Sequence, residues 1–373
     1  MRDPIYHSCL YIDRYAAAEN ARALASHFGK CGIIPVLKGD AFGLGLLPMA
    51  KCITDAIRIP FLAVAHLSEG IELRSGGIRQ PILIFAGALP SQCEAAVRND
   101  LTLAVGRTGL IPRLAQEARR QQKTAGIHIA IDTGLHRLGV QPGEELGALL
   151  REALQNRDAV RVTGTYSHFA DAETIGSERA RIQRDLYLGA LRQVRRAGIE
   201  PGLRHMSNSA ASEWFPNANF DAVRLGRRLF FDSPTAPTGI VKEVASWRAY
   251  LTCVRPLAAG ERFGYGEGHT LDRDGRIAMI GVGYADGLRH DLVRAHAPVL
   301  VRGKRAPLLD LCMDQAYIDV TDIPCEIGDE TTLFGADETG RNVLPAQEVA
   351  AYANDEGCGL TAMLLPRVKR IYL

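Results

Sequence analysis

Apolar residues in the N-terminal part of the chain fall into short runs that are rich in β-branched side chains. Most of these runs are separated by stretches with helical spacing, such as Leu110–Gln122 and Glu178–Ala197. Strands that alternate with helices form a parallel sheet. The predicted strands are Ile33–Lys38, Phe61–His66, Ile82–Gly87, Leu101–Gly106, Ile127–Asp132, Val162–Ser167, Leu203–Asn208 and Ala222–Arg227.

Eight strands in this alternation predict a closed (β/α)8 barrel. The alternative is a doubly wound open sheet, but no Gly-x-Gly-x-x-Gly motif follows the first strand. After Asp232-Ser233-Pro234 the pattern changes to strand-like runs broken by turn signals, and only Pro345–Asn354 predicts a helix convincingly. We therefore predict an α/β barrel over residues 13–235 and a mainly β domain over residues 236–373. The opening strand, within residues 1–12, is assigned to the second domain.

Composition narrows the class of protein. The chain has 373 residues, and its formal net charge of +2 gives no electrostatic reason to expect nucleic acid or an anionic membrane as a partner. No apolar run approaches the roughly 20 residues that cross a bilayer. The eight cysteines are scattered and form no Cys-x-x-Cys pair. We expect reduced thiols, no metal site and a cytoplasmic protein.

The predicted strand ends carry the chemically useful side chains, and in such a barrel these ends form the functional face. Lys38 closes the first strand, Arg137 follows the fifth, and Arg224 lies at the end of the eighth. Ser207–Ser209 resembles a helix start, whose unbonded amides accept an anion. A lone lysine can simply mark the exit from a strand. An amine, an anion cradle and two arginines on one rim suit a phosphorylated aldehyde cofactor that the amine holds covalently.

A set of ordered motifs extends across the whole chain. Together they resemble the alanine racemase family, whose members depend on pyridoxal 5'-phosphate (PLP) and have fold type III. The motifs are Val36-x-Lys38-x-x-Ala41-x-Gly43-x-Gly45, Asp132-Thr133-Gly134-x-x-Arg137-x-Gly139, His168-Phe169-Ala170, Asn208-Ser209-Ala210, Val223-Arg224-x-Gly226, Gly264-Tyr265-Gly266 and Gly283-Tyr284-Ala285-Asp286-Gly287.

The resemblance implies an amino-acid racemase that exchanges L- and D-enantiomers by two-base proton transfer. It implies a head-to-tail homodimer in which one subunit's barrel and the other's β domain share each active site. Lys38 would carry PLP and act as one base, and Tyr265 from the partner subunit would be the other. Arg224 would face the pyridine nitrogen, and His168 would link Arg224 toward the tyrosine.

The remaining implied roles concern the phosphate and the substrate. Asn208, Ser209 and Gly226 correspond to positions that contact the phosphate. Arg137 resembles the residue near the cofactor phenolate and the substrate carboxylate. The substrate-facing residues implied for the second domain are Met313, Tyr284 and Cys312.

Several positions depart from the family pattern. Phe42 and Pro366 stand where tyrosines usually contact phosphate, and Ala130 stands where a lysine often orients the arginine equivalent to Arg137. We hypothesise that Arg227, in place of isoleucine, compensates with a charged contact to phosphate. The alternative is a surface arginine beside Arg228. An open gate at Pro366 predicts substrates larger than alanine, such as serine.

Two other functions stay open at this point. One is a PLP-dependent lyase, decarboxylase or epimerase on the same scaffold. The other is a non-catalytic homologue that binds PLP. Retention of both Lys38 and Tyr265 favours two-base racemisation, because decarboxylation does not require a tyrosine on the opposite face.

Overall fold

The computed structural model describes residues 5–231 and 239–373 of the chain. Within these ranges eight parallel strands form one sheet, and a bridge between Val36 and Ala63 brings its two edges together. The predicted barrel is therefore confirmed. The chain opens with β1 (Ser8–Ile12), and the barrel strands follow as β2 (Gly32–Pro35), β3 (Leu62–Val64), β4 (Ile82–Ile84), β5 (Leu101–Val105), β6 (Ala125–Ala130), β7 (Val160–Tyr166), β8 (Leu203–His205) and β9 (Ala222–Leu225).

Helices alternate with these strands. Side-chain caps fix two of the longer ones, because Asp13 accepts from the amide of Ala16 at 2.9 Å and Ser177 accepts from that of Ala180 at 3.2 Å. No helix in the described part of the chain is long and apolar enough to cross a membrane. The helices are α1 (Arg14–Phe28), α2 (Lys38–Gly43), α3 (Leu46–Ala56), α4 (Leu67–Ser75), α5 (Cys93–Arg98), α6 (Leu110–Arg120), α7 (Glu144–Gln155), α8 (Glu178–Arg196) and α9 (Ala211–Trp214).

The second domain is mainly β, as predicted, although the boundary at residues 235–236 lies outside the described residues. Its nine-stranded sheet includes β1, which pairs with one strand antiparallel and with the C-terminal strand in parallel. The elements are β10 (Ala245–Leu257), β11 (Gly275–Ile280), α10 (His290–Arg294), β12 (Pro298–Val301), β13 (Lys304–Leu311), β14 (Ala316–Asp319), β15 (Glu330–Ala336), β16 (Val343–Leu344), α11 (Ala346–Ala351), α12 (Gly357–Ala362) and β17 (Lys369–Tyr372).

The expectation of a single helix in this domain was wrong. The structure has α10 and α12 in addition to α11, which lies within the predicted Pro345–Asn354. The two extra helices have five and six residues, which is too short for an apolar period of 3.6 to be visible. Glycines at two positions of α12, Gly357 and Gly359, weaken the sequence signal further.

Helix α12 matters because it packs on α2 at the mouth of the barrel. The first barrel strand, β2, ends at Pro35 rather than continuing to Lys38. The backbone then adopts a left-handed conformation, with φ between 53° and 64° from Gly39 to Phe42. A Cβ atom at Gly43 would lie 2.0 Å from the carbonyl oxygen of Thr361, so only glycine permits this approach. The C-terminal segment therefore reaches the functional face of the barrel.

Candidate active site

A cavity of about 680 Å³ lies at the carboxyl ends of the barrel strands. Most of the side chains that the sequence analysis assigned to a cofactor converge on it. Two residues of the second domain, Glu356 and Cys358, complete its wall. The predicted residues that line the cavity are Lys38, Phe42, Arg137, His168, Asn208, Ser209, Arg224, Gly226 and Arg227.

The left-handed turn of α2 fixes the backbone beside Lys38. Leu37 is fully buried, the amide of Gly39 donates to Glu69 at 2.7 Å, and the carboxylate of Asp40 accepts from the amide of Leu46 at 2.6 Å. Lys38 itself is exposed at the cavity mouth in the single chain. The amine is therefore attached to a rigid turn while its side chain can reach a ligand.

Arg224 is a buried cation that pairs with no carboxylate of the described residues. Its side chain donates to His205 Nδ1 and His168 Nδ1, both at 2.9 Å, and to the backbone carbonyls of Ser167 and Met206 at 2.9 and 2.7 Å. Burial lowers its pKa to about 10, so the guanidinium stays protonated at neutral pH. These hydrogen bonds use only Nη1 and Nη2. No residue in the described part of the chain accepts from Nε.

Arg224 also determines which nitrogens of the nearby histidines carry protons. Because a guanidinium only donates, the Nδ1 atoms of His168 and His205 must both accept, which assigns their protons to Nε2. His205 Nε2 then donates to His128 Nδ1 at 2.9 Å, which leaves the proton of His128 on Nε2 as well. That Nε2 is buried against the ring of Phe61 and has no hydrogen-bond partner among the described residues.

All three histidines are neutral in this arrangement. Burial, reinforced by the charge of Arg224, lowers the pKa of His168 to about 2 and that of His128 to about 3. The same two causes hold the pKa of His205 well below its usual value. The proton order along the network is therefore fixed, and His168 presents an N–H donor beyond Arg224.

Phe42, Asn208 and Gly226, at positions that the family resemblance assigns to the phosphate, also line the cavity. The side-chain oxygen of Asn208 caps the short helix α9, accepting from the amide of Ala211 at 2.9 Å. The ring of Phe42 packs edge-on against Phe230, with centroids 6.3 Å apart. A Cβ atom at Gly226 would come within 2.8 Å of the Phe42 ring, so glycine is needed for this wall to close.

Arg227 lies in the cavity wall, with only 13% of its side chain exposed. It forms ion pairs with Glu356 and, at 3.3 Å, with Glu173. Arg228 is buried elsewhere, in an ion pair with Glu213. The alternative interpretation of Arg227 as a surface residue beside Arg228 is therefore wrong, while its contact to phosphate stays a prediction.

Arg137 has no partner that would orient it. Among the described residues it forms no hydrogen bond or ion pair, and it is exposed. The carboxylate of Asp132 instead accepts from the amides of its own turn, with the Gly134 amide at 2.9 Å. Ala130, at the position of the missing lysine, is buried in a hydrophobic cluster that includes Leu83 and Tyr166. Nothing in the described chain replaces that lysine.

The second-domain residues form an exposed face outside this cavity. The rings of Tyr265 and Tyr284 are 76% and 41% exposed, and Met313 is 54% exposed. The Tyr284 amide donates to the carbonyl of Cys312 at 3.1 Å, which joins these two turns. Tyr265, Tyr284, Cys312 and Met313 therefore do not line the cavity of their own chain.

Pro366 also lies away from the cavity, contrary to its assignment to the cofactor site. It is exposed and precedes Arg367, which pairs with Asp286 and Asp314 on the second-domain face. The cause is the packing of α12 on α2, which brings Cys358 rather than Pro366 to the barrel mouth.

Comparison with known proteins shows to which family this chain belongs. The model of the alanine racemase N-terminal domain matches residues 12–234, and that of the C-terminal domain matches residues 244–372. The chain belongs to the alanine racemase family. The family's fold, its isomerase class and its PLP cofactor, all expected from the motifs, are thereby confirmed.

Relatives within the alanine racemase family match almost end to end. The alanine racemase of Symbiobacterium thermophilum is 35% identical over 368 residues, which is 97% of this chain and 96% of that protein. That of Sorangium cellulosum is 36% identical over 349 residues and covers 90% of each chain. The crystal structure of alanine racemase from Streptomyces lavendulae superposes with a TM-score of 0.93 at 30% identity, covering 100% of this chain and 98% of that one.

The cavity fits the PLP of the alanine racemase family. Buried charges in proteins are normally paired, and Arg224 has acceptors but no anion in the described chain. Its Nε is available to the ring nitrogen of a bound cofactor. Lys38 would provide the amine, and Ser209, which lines the same cavity as Arg227, would provide a hydroxyl for the phosphate.

Sequence reasoning missed four residues of this site. His128 and His205 support Arg224 from inside the barrel, and Glu356 and Cys358 line the cavity. His128 gave a usable signal, since it interrupts the otherwise apolar strand β6, whereas His205 follows Arg204 in β8 and does not stand out. Glu356 and Cys358 gave no signal, because only the packing of α12 brings them to the barrel.

Proposed function

We propose that this protein interconverts L- and D-alanine, with PLP carried on Lys38. The observation that carries the proposal is the cavity lined by both Lys38 and Arg224, a buried cation that has no anionic partner in residues 5–231 and 239–373. Relatives named alanine racemase, matched over nearly their whole length, support alanine as the substrate.

Two bases on opposite faces of the α-carbon perform the inversion. When bound, PLP acidifies the α-proton by accepting the electron pair that the proton leaves behind. The amine of Lys38 removes or returns the proton at one face, and the hydroxyl of Tyr265 from the partner subunit acts at the other. His168 would present its Nε2 proton on the far side of Arg224, and Arg224 would hold the ring nitrogen of PLP through Nε, which has no acceptor among the described residues.

This division of labour requires a homodimer with shared sites. Tyr265, Tyr284 and Met313 are exposed in their own chain and lie outside its cavity, which supports a role in a neighbour's site. Cys312 joins the same face. Arg137, which has no partner in the part of its chain that the structure describes, would then be oriented by the substrate carboxylate.

Two finer proposals concern the phosphate and the cellular location. We assign Asn208, Ser209, Gly226 and Arg227 to the phosphate, with Arg227 compensating for the hydroxyl that Phe42 lacks. A cytoplasmic location stays a prediction. It is supported by the absence of any disulfide among the eight cysteines, all of which lie in the described residues.

Substrates larger than alanine remain a test rather than the main proposal. The prediction of serine racemisation rested on an open gate at Pro366, which lies outside the cavity of its own chain. If serine reacts as fast as alanine, some other feature of the wall must provide the room.

The test combines a spectrum with isotope exchange. Purified protein with PLP should show the visible absorbance of a lysine-bound cofactor, which Lys38→Ala abolishes. In D2O, alanine of either configuration should gain α-deuterium and yield both enantiomers. If the PLP-bound protein instead releases CO2 from the substrate or cleaves it, that result would support the lyase alternative. Binding without reaction on either alanine or serine would support the non-catalytic homologue.

A further inference from the structure

Hydrogen bonds to its backbone and packing at its base hold the Tyr265 turn, whereas the Tyr265 ring is exposed. The amide of Phe263 donates to His269 at 2.9 Å, and the amide of His269 donates back to Phe263 at 2.7 Å. The amide of Gly268 donates to the carbonyl of Tyr265 at 3.1 Å. Phe263 packs in a small apolar cluster with Leu257 and others below the turn. The base of the turn is therefore ordered.

A carboxylate lies directly under the tip of this turn. Asp310 Oδ2 accepts from the backbone amide of Tyr265 at 3.2 Å, while its Oδ1 accepts from the amide of Leu311 at 2.8 Å. His269 Nε2 is 3.7 Å from Oδ1. Only 20% of the Asp310 side chain is exposed, so the contact is partly shielded from water.

Two features of the backbone make this contact possible. The pairing of β13 with β14 shifts register between Leu308 and Asp310, and such an irregularity re-aims the side chain that follows it. Gly264 has φ of +83°, and a Cβ atom there would lie 2.3 Å from Asp310 Oδ2. Glycine is therefore the residue that lets the carboxylate reach the turn.

We propose that Asp310 is a positioning residue that fixes Tyr265 at the angle required to act in the partner subunit's cavity. The inference rests on the proposed function, because it assigns a purpose to the orientation of Tyr265. Asp310 acts through the backbone amide and touches neither substrate nor cofactor. A displacement of about 1 Å at a reacting group lowers a rate by roughly 100-fold, so one hydrogen bond at this turn can control one base.

The first measurement is α-proton exchange of each alanine enantiomer in the full-length protein with PLP. Asp310→Ala should slow exchange by about 10- to 100-fold for the enantiomer that Tyr265→Phe also slows. Exchange of the other enantiomer, which uses Lys38, should change less than about twofold. A general structural defect would slow both enantiomers equally, and that result would overturn the proposal. Asp322→Ala, which removes an exposed carboxylate of the same domain, is the matched control and should change neither rate.

A double-mutant cycle gives an independent check. Gly264→Ala should impair the same enantiomer, since its Cβ collides with Asp310 Oδ2. Adding Asp310→Ala removes the colliding oxygen but not the strain of alanine at positive φ, so the loss in the double variant should be smaller than the product of the two single losses. Losses that multiply would show that the two residues act separately, which would contradict the proposed role of Asp310 in holding the Tyr265 amide.

Hydrogen exchange of backbone amides tests the contact between Asp310 and Tyr265 independently of the proposed function. In Asp310→Ala the Tyr265 amide should lose protection, measured on the peptide that spans residues 263–269, while β10 keeps its protection. Unchanged protection of the Tyr265 amide would refute the proposed role of Asp310, whatever reaction the enzyme catalyses. Wild-type protein that binds PLP but exchanges no α-proton would refute the proposed function. The protection of the Tyr265 amide would still show whether Asp310 holds the turn.

Discussion

At the scale of single residues, the site is organised around one arginine that has acceptors but no carboxylate. Sequence motifs identify Arg224, because the family resemblance assigns it, but they do not reveal the chain from His205 to His128 behind it. Those contacts join residues 77 positions apart, which no local pattern records. The donor-only chemistry of the guanidinium then fixes each proton along the chain.

The buried histidines predict a loss of stability in acid. The pKa of His128 is lowered to about 3 by burial and by Arg224, and that of His205 is lowered well below its usual value. The unfolded chain binds protons at these residues below about pH 6.5, whereas the folded chain does not. Stability present above that pH is therefore lost as the pH falls toward 3. Each histidine contributes up to about 1.4 kcal/mol per pH unit.

Urea unfolding at several pH values between about 7.5 and 5.5 measures this slope. His128→Phe should flatten the dependence by about one proton. Phe61→Leu, which leaves a cavity beside His128, should lower the free energy of unfolding by a similar amount at every pH. An unchanged slope in His128→Phe would mean that this histidine is not neutral in the folded protein.

Arg227 gives a second prediction at this scale, concerning PLP affinity. If it contacts phosphate, Arg227→Ala should weaken PLP binding by about 10- to 100-fold, the usual worth of a charge-assisted hydrogen bond. The measurement is a fluorescence titration of the apoprotein. Glu173→Gln is the matched control, because it removes a partner of Arg227 while keeping the arginine. If Arg227→Ala binds PLP as tightly as the wild type, Arg227 is only an ion-paired part of the wall.

At the scale of elements, the hydrophobic pattern predicts where strands lie and fails where helices are short. The predicted run Ala222–Arg227 contains β9, and Ile127–Asp132 overlaps β6, because a barrel strand must bury both faces. The left-handed turn of α2 has no such signal, since Asp40, Ala41 and Phe42 adopt positive φ without being glycine. Tertiary packing of α12 against this turn determines which C-terminal residues reach the cavity.

The contact between α2 and α12 predicts a difference between two glycine substitutions. Gly43 and Gly29 both have positive φ, so alanine at either position carries backbone strain of about 1–3 kcal/mol. Only at Gly43 would the added Cβ collide with another element, 2.0 Å from the Thr361 carbonyl oxygen. Gly43→Ala should therefore cost at least about 3 kcal/mol in total and also weaken PLP binding.

Thermal unfolding and PLP titration of the two variants test this. At Gly29 a Cβ would meet nothing within 4 Å, so Gly29→Ala should lower Tm modestly and leave PLP affinity unchanged. Equal losses of Tm in both variants would show that α12 shifts at little cost to accommodate the added Cβ atom. The approach of Cys358 and Glu356 to the cavity would then not depend on Gly43.

At the scale of the whole molecule, the two halves of the proposed chemistry do not meet within one chain. Lys38 lies at the barrel cavity, whereas Tyr265 lies on an exposed face of the β domain. The domain order could be predicted from the hydrophobic pattern, but this separation could not, because it depends on how the finished domains face each other. The proposed shared site would resolve it, because each subunit of a twofold dimer would supply its Tyr265 to the other subunit's cavity.

Mixed dimers test this arrangement directly. Lys38→Ala and Tyr265→Phe should each be inactive as homodimers. When the two variants are co-expressed with different tags, a mixed dimer contains one site with both bases intact and one with neither. Random pairing makes half of the dimers mixed, so the pooled protein should recover about 25% of the wild-type rate per site. If Lys38 and Tyr265 acted within one chain, every subunit would lack one base, and co-expression would restore nothing.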